Sequence, residues 1–229
     1  MKDIQQVHFQ SKKHRYSEEL LLNPPLHVQQ ETQLIINTLK SHKVRTVVDF
    51  GSGNGRLTIP LLQAGFAVTA VDISKESLDR LMVMAEKMNC AQRLSCATYF
   101  PRGPFDAVVG TDILHHVDIN RELHTMRKAL QKSGVLIFSE PNILNISWTI
   151  FISLFLDWQV EKGIVFCNYF TLRKLLKTHN FRRIVISGHG LLPPPLFNKA
   201  PFLQKVNYFL GNPPILRLFA YRLLIFASI

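Results

Sequence analysis

A short apolar run that stops at a cluster of glycines constrains this chain more than any other stretch. Residues 46–50 are β-branched and apolar, Gly51, Gly53 and Gly55 follow at every second position, and residues 56–64 resume a helical spacing. A second strand-like run, 67–71, ends at Asp72. Ser74 then stands three residues ahead of Ser77 and before Leu78, Leu81 and Met82, where a helix N-cap belongs. Strand, helix, strand, helix implies a mostly parallel sheet with right-handed crossovers and ligands at the carboxyl ends of the strands. Glycines without a β-carbon turn tightly and admit a ligand to the backbone, so the loop is a nucleotide-type cradle. An acid placed like Asp72 accepts hydrogen bonds from both hydroxyls of a ribose. The plainer alternative makes the glycines a turn and Asp72 a partner of the Ser74 cap.

The alternation continues along the chain. A helix is expected over 26–41 after Pro24 and Pro25, strands over 94–99 and 105–110, a helix over 120–131 and a strand over 135–139. Beyond these, 171–179 has a helical pattern, 181–187 a strand pattern, 199–210 a helical one, and 222–228 the pattern of a last strand. The expected organisation is one domain over 1–229. Within it, 1–25 form an N-terminal extension whose Tyr16 and Ser17 belong to a lid, 26–142 the ligand-binding core, and 143–229 the substrate side.

Composition excludes several classes. With 47% apolar and 19% charged residues the chain is globular. Cys90, Cys96 and Cys167 are odd in number and contain no CxxC pair, so neither a disulfide framework nor a metal site is expected, and a reducing cytoplasm fits. The polar start MKDIQQVHFQSKKHRY lacks the apolar core of a secretion signal. The net charge of +11 is lopsided: from Glu161 onward ten basic residues face that single acid. Interleaved with Phe202, Tyr208, Phe209 and Phe219, they suit a solvated face, an anionic membrane or RNA.

The glycine spacing separates two nucleotide-binding classes. A dinucleotide fingerprint reads G-x-G-x-x-G, whereas Asp49-Phe50-Gly51-Ser52-Gly53-Asn54-Gly55 resembles the D-x-G-x-G-x-G signature of class I methyltransferases. AVDIS at 70–74 is similar to that family's ribose-binding segment, FDAVVGTDILHHV at 105–117 to its fourth strand and loop, and SGVLIFSEPN at 133–142 to its fifth strand. FTLRKLLKTHNFRRIVI at 170–186 resembles the helix and sixth strand, with 222–228 as an antiparallel seventh. The resemblance implies an α/β fold with a seven-stranded, mostly parallel, doubly wound sheet, apolar insertions after strands 5 and 6, and S-adenosyl-L-methionine as cofactor. It places Gly51, Gly53 and Gly55 near the methionine part, with Asp49 and Ser52 in the same loop, Asp72 on the ribose, Ile73 on adenine and Thr111 near the sulfonium. Where the family often has an acid or amide for the adenine amine, SCATYF at 95–100 offers only Thr98.

For the acceptor, His115 and His116 stand just past the fourth strand as candidate bases, with the Asp112 and Glu140 carboxylates at strand ends as further candidates. Residues 143–156 carry no charge and are too short to span a bilayer, which suits an apolar lid or pocket wall. Residues 191–202 and 209–226 are also rich in Leu, Phe and Pro, among Lys199, Lys205, Arg217 and Arg222. The expected function is therefore O-methylation of a small hydrophobic or lipid-linked acceptor by a cytoplasmic chain in peripheral contact with a membrane. An RNA methyltransferase is the alternative enzyme. It is disfavoured because TDILHHV replaces the Asn/Asp-Pro-Pro-aromatic motif that amino-methylating enzymes of this family tend to carry. A cofactor-binding regulatory subunit is the non-enzymatic alternative.

Overall fold

The computed structural model describes residues 21–197 and 200–229. Most of the expected N-terminal lid, Tyr16 and Ser17 included, lies outside the described residues. Seven strands, β1 (Thr46–Phe50), β2 (Ala67–Val71), β3 (Leu94–Ala97), β4 (Phe105–Thr111), β5 (Leu130–Pro141), β6 (Arg182–His189) and β7 (Arg222–Ser228), form one sheet in the order β3-β2-β1-β4-β5-β7-β6. β1 runs parallel to both β2 and β4, and β2 parallel to β3, while β6 and β7 pair antiparallel. This is the mostly parallel sheet with an antiparallel last strand that the motifs imply. Helices within the described residues include α1 (Leu26–Ser41), α2 (Thr58–Gln63), α3 (Lys75–Lys87), α4 (Ile119–Ala129), α5 (Ile146–Phe155), α6 (Trp158–Glu161), α7 (Tyr169–Thr178) and α8 (Pro201–Leu210).

The chain divides into two compact units. One runs to Thr111 and includes Lys128–Val135; the other comprises Asp112–Arg127 and Leu136–Ile229.

In the first unit, Val47 and Val48 of β1 are both fully buried, so neither face of that strand meets water and its sequence is a continuous apolar run. Ile35, Ile36 and Leu39 bury one face of α1. α3 begins at Ser74, whose Oγ accepts the Ser77 N–H, and buries Leu78, Leu81, Met84 and Ala85. Its solvent face carries the i,i+4 pairs Lys75–Asp79 and Glu76–Arg80, each worth about 0.2–0.5 kcal/mol in a helix. α2 begins at Thr58, later than the periodicity suggests, because the glycine loop closes through a Gly55 N–H bond to the Ser52 carbonyl before helical pairing starts.

In the second unit, β5 ends at Pro141, and three asparagine amides tie the segments that follow. Asn142 Nδ2 donates to the carbonyls of Leu218 and Ala220, and Asn145 Nδ2 to those of Leu191 and Phe219. Asn207 accepts the N–H groups of Leu191 and Leu192 and donates to Leu192 O. Asn145 also caps α5 by accepting the Trp148 N–H. α5 has no charge, and among its large side chains only Ile152 is buried; Ile146 is 74% exposed and Phe155 71%. No described helix is long and apolar enough to cross a membrane.

Candidate active site

The first unit builds a cradle at the carboxyl ends of β1, β2 and β4. Gly51, Gly53 and Gly55 all have positive φ, at 75°, 51° and 98°, a region that side-chain-bearing residues rarely adopt. Gly51 and Ser52 N–H groups bond the Val71 carbonyl, which fastens the loop to the end of β2. A β-carbon at Gly55 would overlap the Leu81 side chain, so this glycine serves packing. One at Gly53 would meet nothing within 4 Å, so this glycine borders open space.

Asp72 closes the cradle. One carboxylate oxygen accepts the Gly53 N–H and the other the Ser74 N–H, both at 2.8 Å. Burial raises its pKa despite those two bonds, which lower it. Asp72 N–H bonds Ala97 O, which carries Thr98, exposed one residue past β3, alongside the end of β2. Ile73 is exposed beside Asp72.

Asp49 lies beneath the loop, buried, and accepts a 2.6 Å hydrogen bond from Thr58 Oγ1. Burial pushes its carboxyl up to about 7, against the Thr58 bond and the charge of Arg56, which pull it down. Arg56 in turn donates to Thr111 Oγ1 at 2.7 Å, linking the loop to the end of β4. Between the ordinary aspartate value of 3.8 and about 7, folded Asp49 keeps a proton that the unfolded chain has lost. This group's contribution to stability therefore falls as pH rises through that window. Asp49→Asn removes the titration and keeps an oxygen for Thr58. It is expected to stabilise the protein by roughly 2–4 kcal/mol at about pH 8 and by little near about pH 4. Urea unfolding at the two pH values checks this, and an equal effect at both would show that Asp49 is ionised throughout.

The cradle fits a nucleoside-bearing ligand. Among the described residues, Ser52 Oγ and Asn54 Oδ1 are shielded from solvent with no hydrogen-bond partner, a β-carbon on Gly53 would meet no atom within 4 Å, and Ile73 offers an apolar surface. The Asp72 carboxylate, with about four acceptor positions, keeps acceptor capacity beyond the two backbone N–H groups it holds. Asp49, Gly51, Ser52, Gly53, Gly55, Asp72, Ile73, Thr98 and Thr111 thus all lie at the strand ends of one unit.

The second unit holds a buried charged cluster. Asp112, with a positive φ of 56°, turns the chain off β4 into a short 3-10 turn, Leu114–His116. Glu140, 0% exposed, accepts the N–H groups of Ile113 and Leu114 on one oxygen and pairs with His115 Nδ1 at 2.7 Å through the other. His115 Nε2 faces Glu161 at 3.5 Å. Burial alone would lower the His115 pKa, but the Glu140 bond and the nearby Glu161 carboxylate carry it up to about 9. His116, its ring centroid 3.9 Å from that of His115, is pushed down to about 4 by burial and by its charged neighbour. The two imidazole pKa values are thus moved from the ordinary value in opposite directions.

Two members of this cluster escaped the sequence reading. Arg222, counted there among the basic residues, pairs with Asp112 at 2.8 Å and donates to Ser139 Oγ and O. Glu161, on α6, was passed over, although its isolation as the single acid after residue 160 is a signal in itself. Arg173 and Arg217 also bond backbone carbonyls within this unit, so part of the C-terminal positive charge is engaged internally.

A methyltransferase-domain family model matches residues 13–185, most of the chain, and the chain belongs to that family. It is 31% identical over 103 residues to a ubiquinone biosynthesis O-methyltransferase of Caulobacter vibrioides, covering 42% of this chain and 41% of the relative. It is 30% identical over 122 residues to a glycine/sarcosine N-methyltransferase of Aphanothece halophytica, covering 49% of this chain and 46% of the relative. The match thus spans less than half the length of each of these relatives. The fold resembles magnesium protoporphyrin IX methyltransferase from Synechocystis PCC 6803, solved with bound SAH, with a TM-score of 0.63, 18% identity and coverage of 100% of this chain and 99% of that one.

Proposed function

We propose that this chain transfers a methyl group from S-adenosyl-L-methionine to a hydroxyl oxygen of a small hydrophobic or lipid-linked acceptor, in peripheral contact with a membrane on the cytoplasmic side. The carrying observation is the cradle: among the described residues nothing fills the space at Gly53, Ser52 Oγ and Asn54 Oδ1 have no partners, and Asp72 stands at the end of β2. Asp72 would hold the ribose hydroxyls, Ile73 and Thr98 the adenine, and the glycine loop with Thr111 the methionine part. The bound cofactor supplies an electrophilic methyl on a sulfonium. Methyl transfer to the acceptor oxygen would leave S-adenosylhomocysteine and pass the hydroxyl proton to solvent water, so alignment of acceptor and methyl would dominate the rate. With His115 held as a cation and His116 kept neutral but weakly basic, the pair acts by positioning the turn after β4, and neither is tuned as a base near neutral pH.

The acceptor class rests on the apolar surface of the second unit. Uncharged α5 and the exposed Phe202 and Phe209 of α8 suit an isoprenoid or acyl chain, and Lys205 between them suits an anionic lipid surface. The name of the Caulobacter relative, an O-methyltransferase of ubiquinone biosynthesis, favours an oxygen on a hydrophobic molecule. The full chain should methylate a prenylated phenol and sediment with phosphatidylglycerol vesicles. Turnover of only a water-soluble amine or of RNA, without vesicle binding, would overturn the acceptor assignment.

A further inference from the structure

The geometry points to a divalent transition-metal site made by His115, His116 and Glu161 in the second unit, and it stands whether or not the chain transfers methyl groups. One nitrogen from each ring and one Glu161 oxygen lie within 4.8 Å of one another, and all three residues are buried. His115 Nε2 and Glu161 Oε2 are 3.5 Å apart, long for a charge-assisted hydrogen bond, which is about 2.7–2.9 Å. Two donors each about 2.1 Å from a tetrahedral ion stand about 3.4 Å apart. The gap therefore has the length of one edge of a coordination tetrahedron.

The support behind the ligands has the same character. His115 Nδ1 is held against Glu140, and a metal ion would take the place of the Nε2 proton, which makes Nε2 the ligand nitrogen. Glu140 is itself fixed by the Ile113 and Leu114 N–H groups. A metal-bound histidine whose other nitrogen is held by a carboxylate is the usual outer support of such sites. Gly163, two residues after Glu161, packs so closely on the His115 carbonyl oxygen that a β-carbon there would overlap it, so the segment carrying Glu161 lies directly against the His115 turn. A second grouping, His115 with Glu140 and Cys167, also lies close together. Its Glu140 oxygens are already taken by the two N–H groups and by His115, so the first grouping is the better donor set.

Two imidazoles and a carboxylate suit Zn2+, Fe2+ or Mn2+ better than Ca2+ or Mg2+, and three protein ligands leave a position for water or another oxygen donor. Nothing in the linear spacing announces this, because His115 and His116 are adjacent and the third ligand comes from α6.

The test is titration of the chelator-treated full chain with Zn2+, and with Co2+ as a spectroscopic probe. A single equivalent should bind, and Co2+ should give the visible bands of a nitrogen and oxygen site with no thiolate charge-transfer band. Glu161→Gln should weaken Zn2+ binding by about 100-fold while the far-ultraviolet dichroism stays unchanged. His116→Gln should do the same, and if that variant does not fold, Glu161→Gln decides. His179→Ala, which removes one ring of the separate His124–His179 pair, should leave the equivalent bound. No uptake, uptake indifferent to Glu161→Gln, loss with His179→Ala, or a thiolate band would each overturn the assignment.

Discussion

Glu140→Ala is expected to lower folding stability by about 3–5 kcal/mol, the usual loss when one partner of a buried ion pair is removed. Glu140 is wholly buried and carries three bonds, from the Ile113 and Leu114 N–H groups and from His115. Truncation leaves two backbone donors and a cationic ring without their acceptor, in a place water cannot fill cheaply. Glu140→Gln retains an oxygen for the backbone donors and should lose less. Urea unfolding of the three proteins measures this; a loss below about 1 kcal/mol for the alanine variant would mean that solvent reaches the site and screens it.

Asp72→Ala should weaken S-adenosylhomocysteine binding by about 10- to 100-fold, because a hydrogen bond to a charged acceptor is worth about 1.5–3 kcal/mol. The side chain is only partly buried, so folding should survive even though the bonds from Gly53 and Ser74 are lost. Calorimetry on wild type and variant gives the ratio. Equal affinities would place the ribose away from β2, whereas no binding by either protein would leave the cradle as a structural turn.

The first half of the fold was legible because its signals are local. β1 and β2 have the expected bounds, and Ser74 caps α3 through the bond its spacing implied. The boundary between α4 and β5 was not, since the helix was expected to 131 and the strand from 135. Instead β5 takes over at Leu130, and Gln131 bonds Asp106 at the base of β4, a contact between residues far apart in sequence. The site divides in the same way. The cradle is a contiguous loop plus one acid, which a spacing rule detects. The charged cluster draws on the turn after β4, the end of β5, α6 and the start of β7, whose meeting only tertiary packing reveals. For a related reason, charge counting cannot show that Arg173, Arg217 and Arg222 are engaged with carbonyls and Asp112.

The asparagine amides that bind the segments around β6 and β7 bear on how such a chain can diversify. Asn142, Asn145 and Asn207 hold the stretch between those strands by side-chain bonds to main-chain carbonyls and N–H groups, outside the strand ladder. A loop anchored at a few such points is free to change length and sequence between its anchors, while the ladder keeps its register. Selection for a new acceptor could therefore rewrite this apolar stretch repeatedly and leave the glycine cradle, whose positive-φ backbone tolerates little change, as it was.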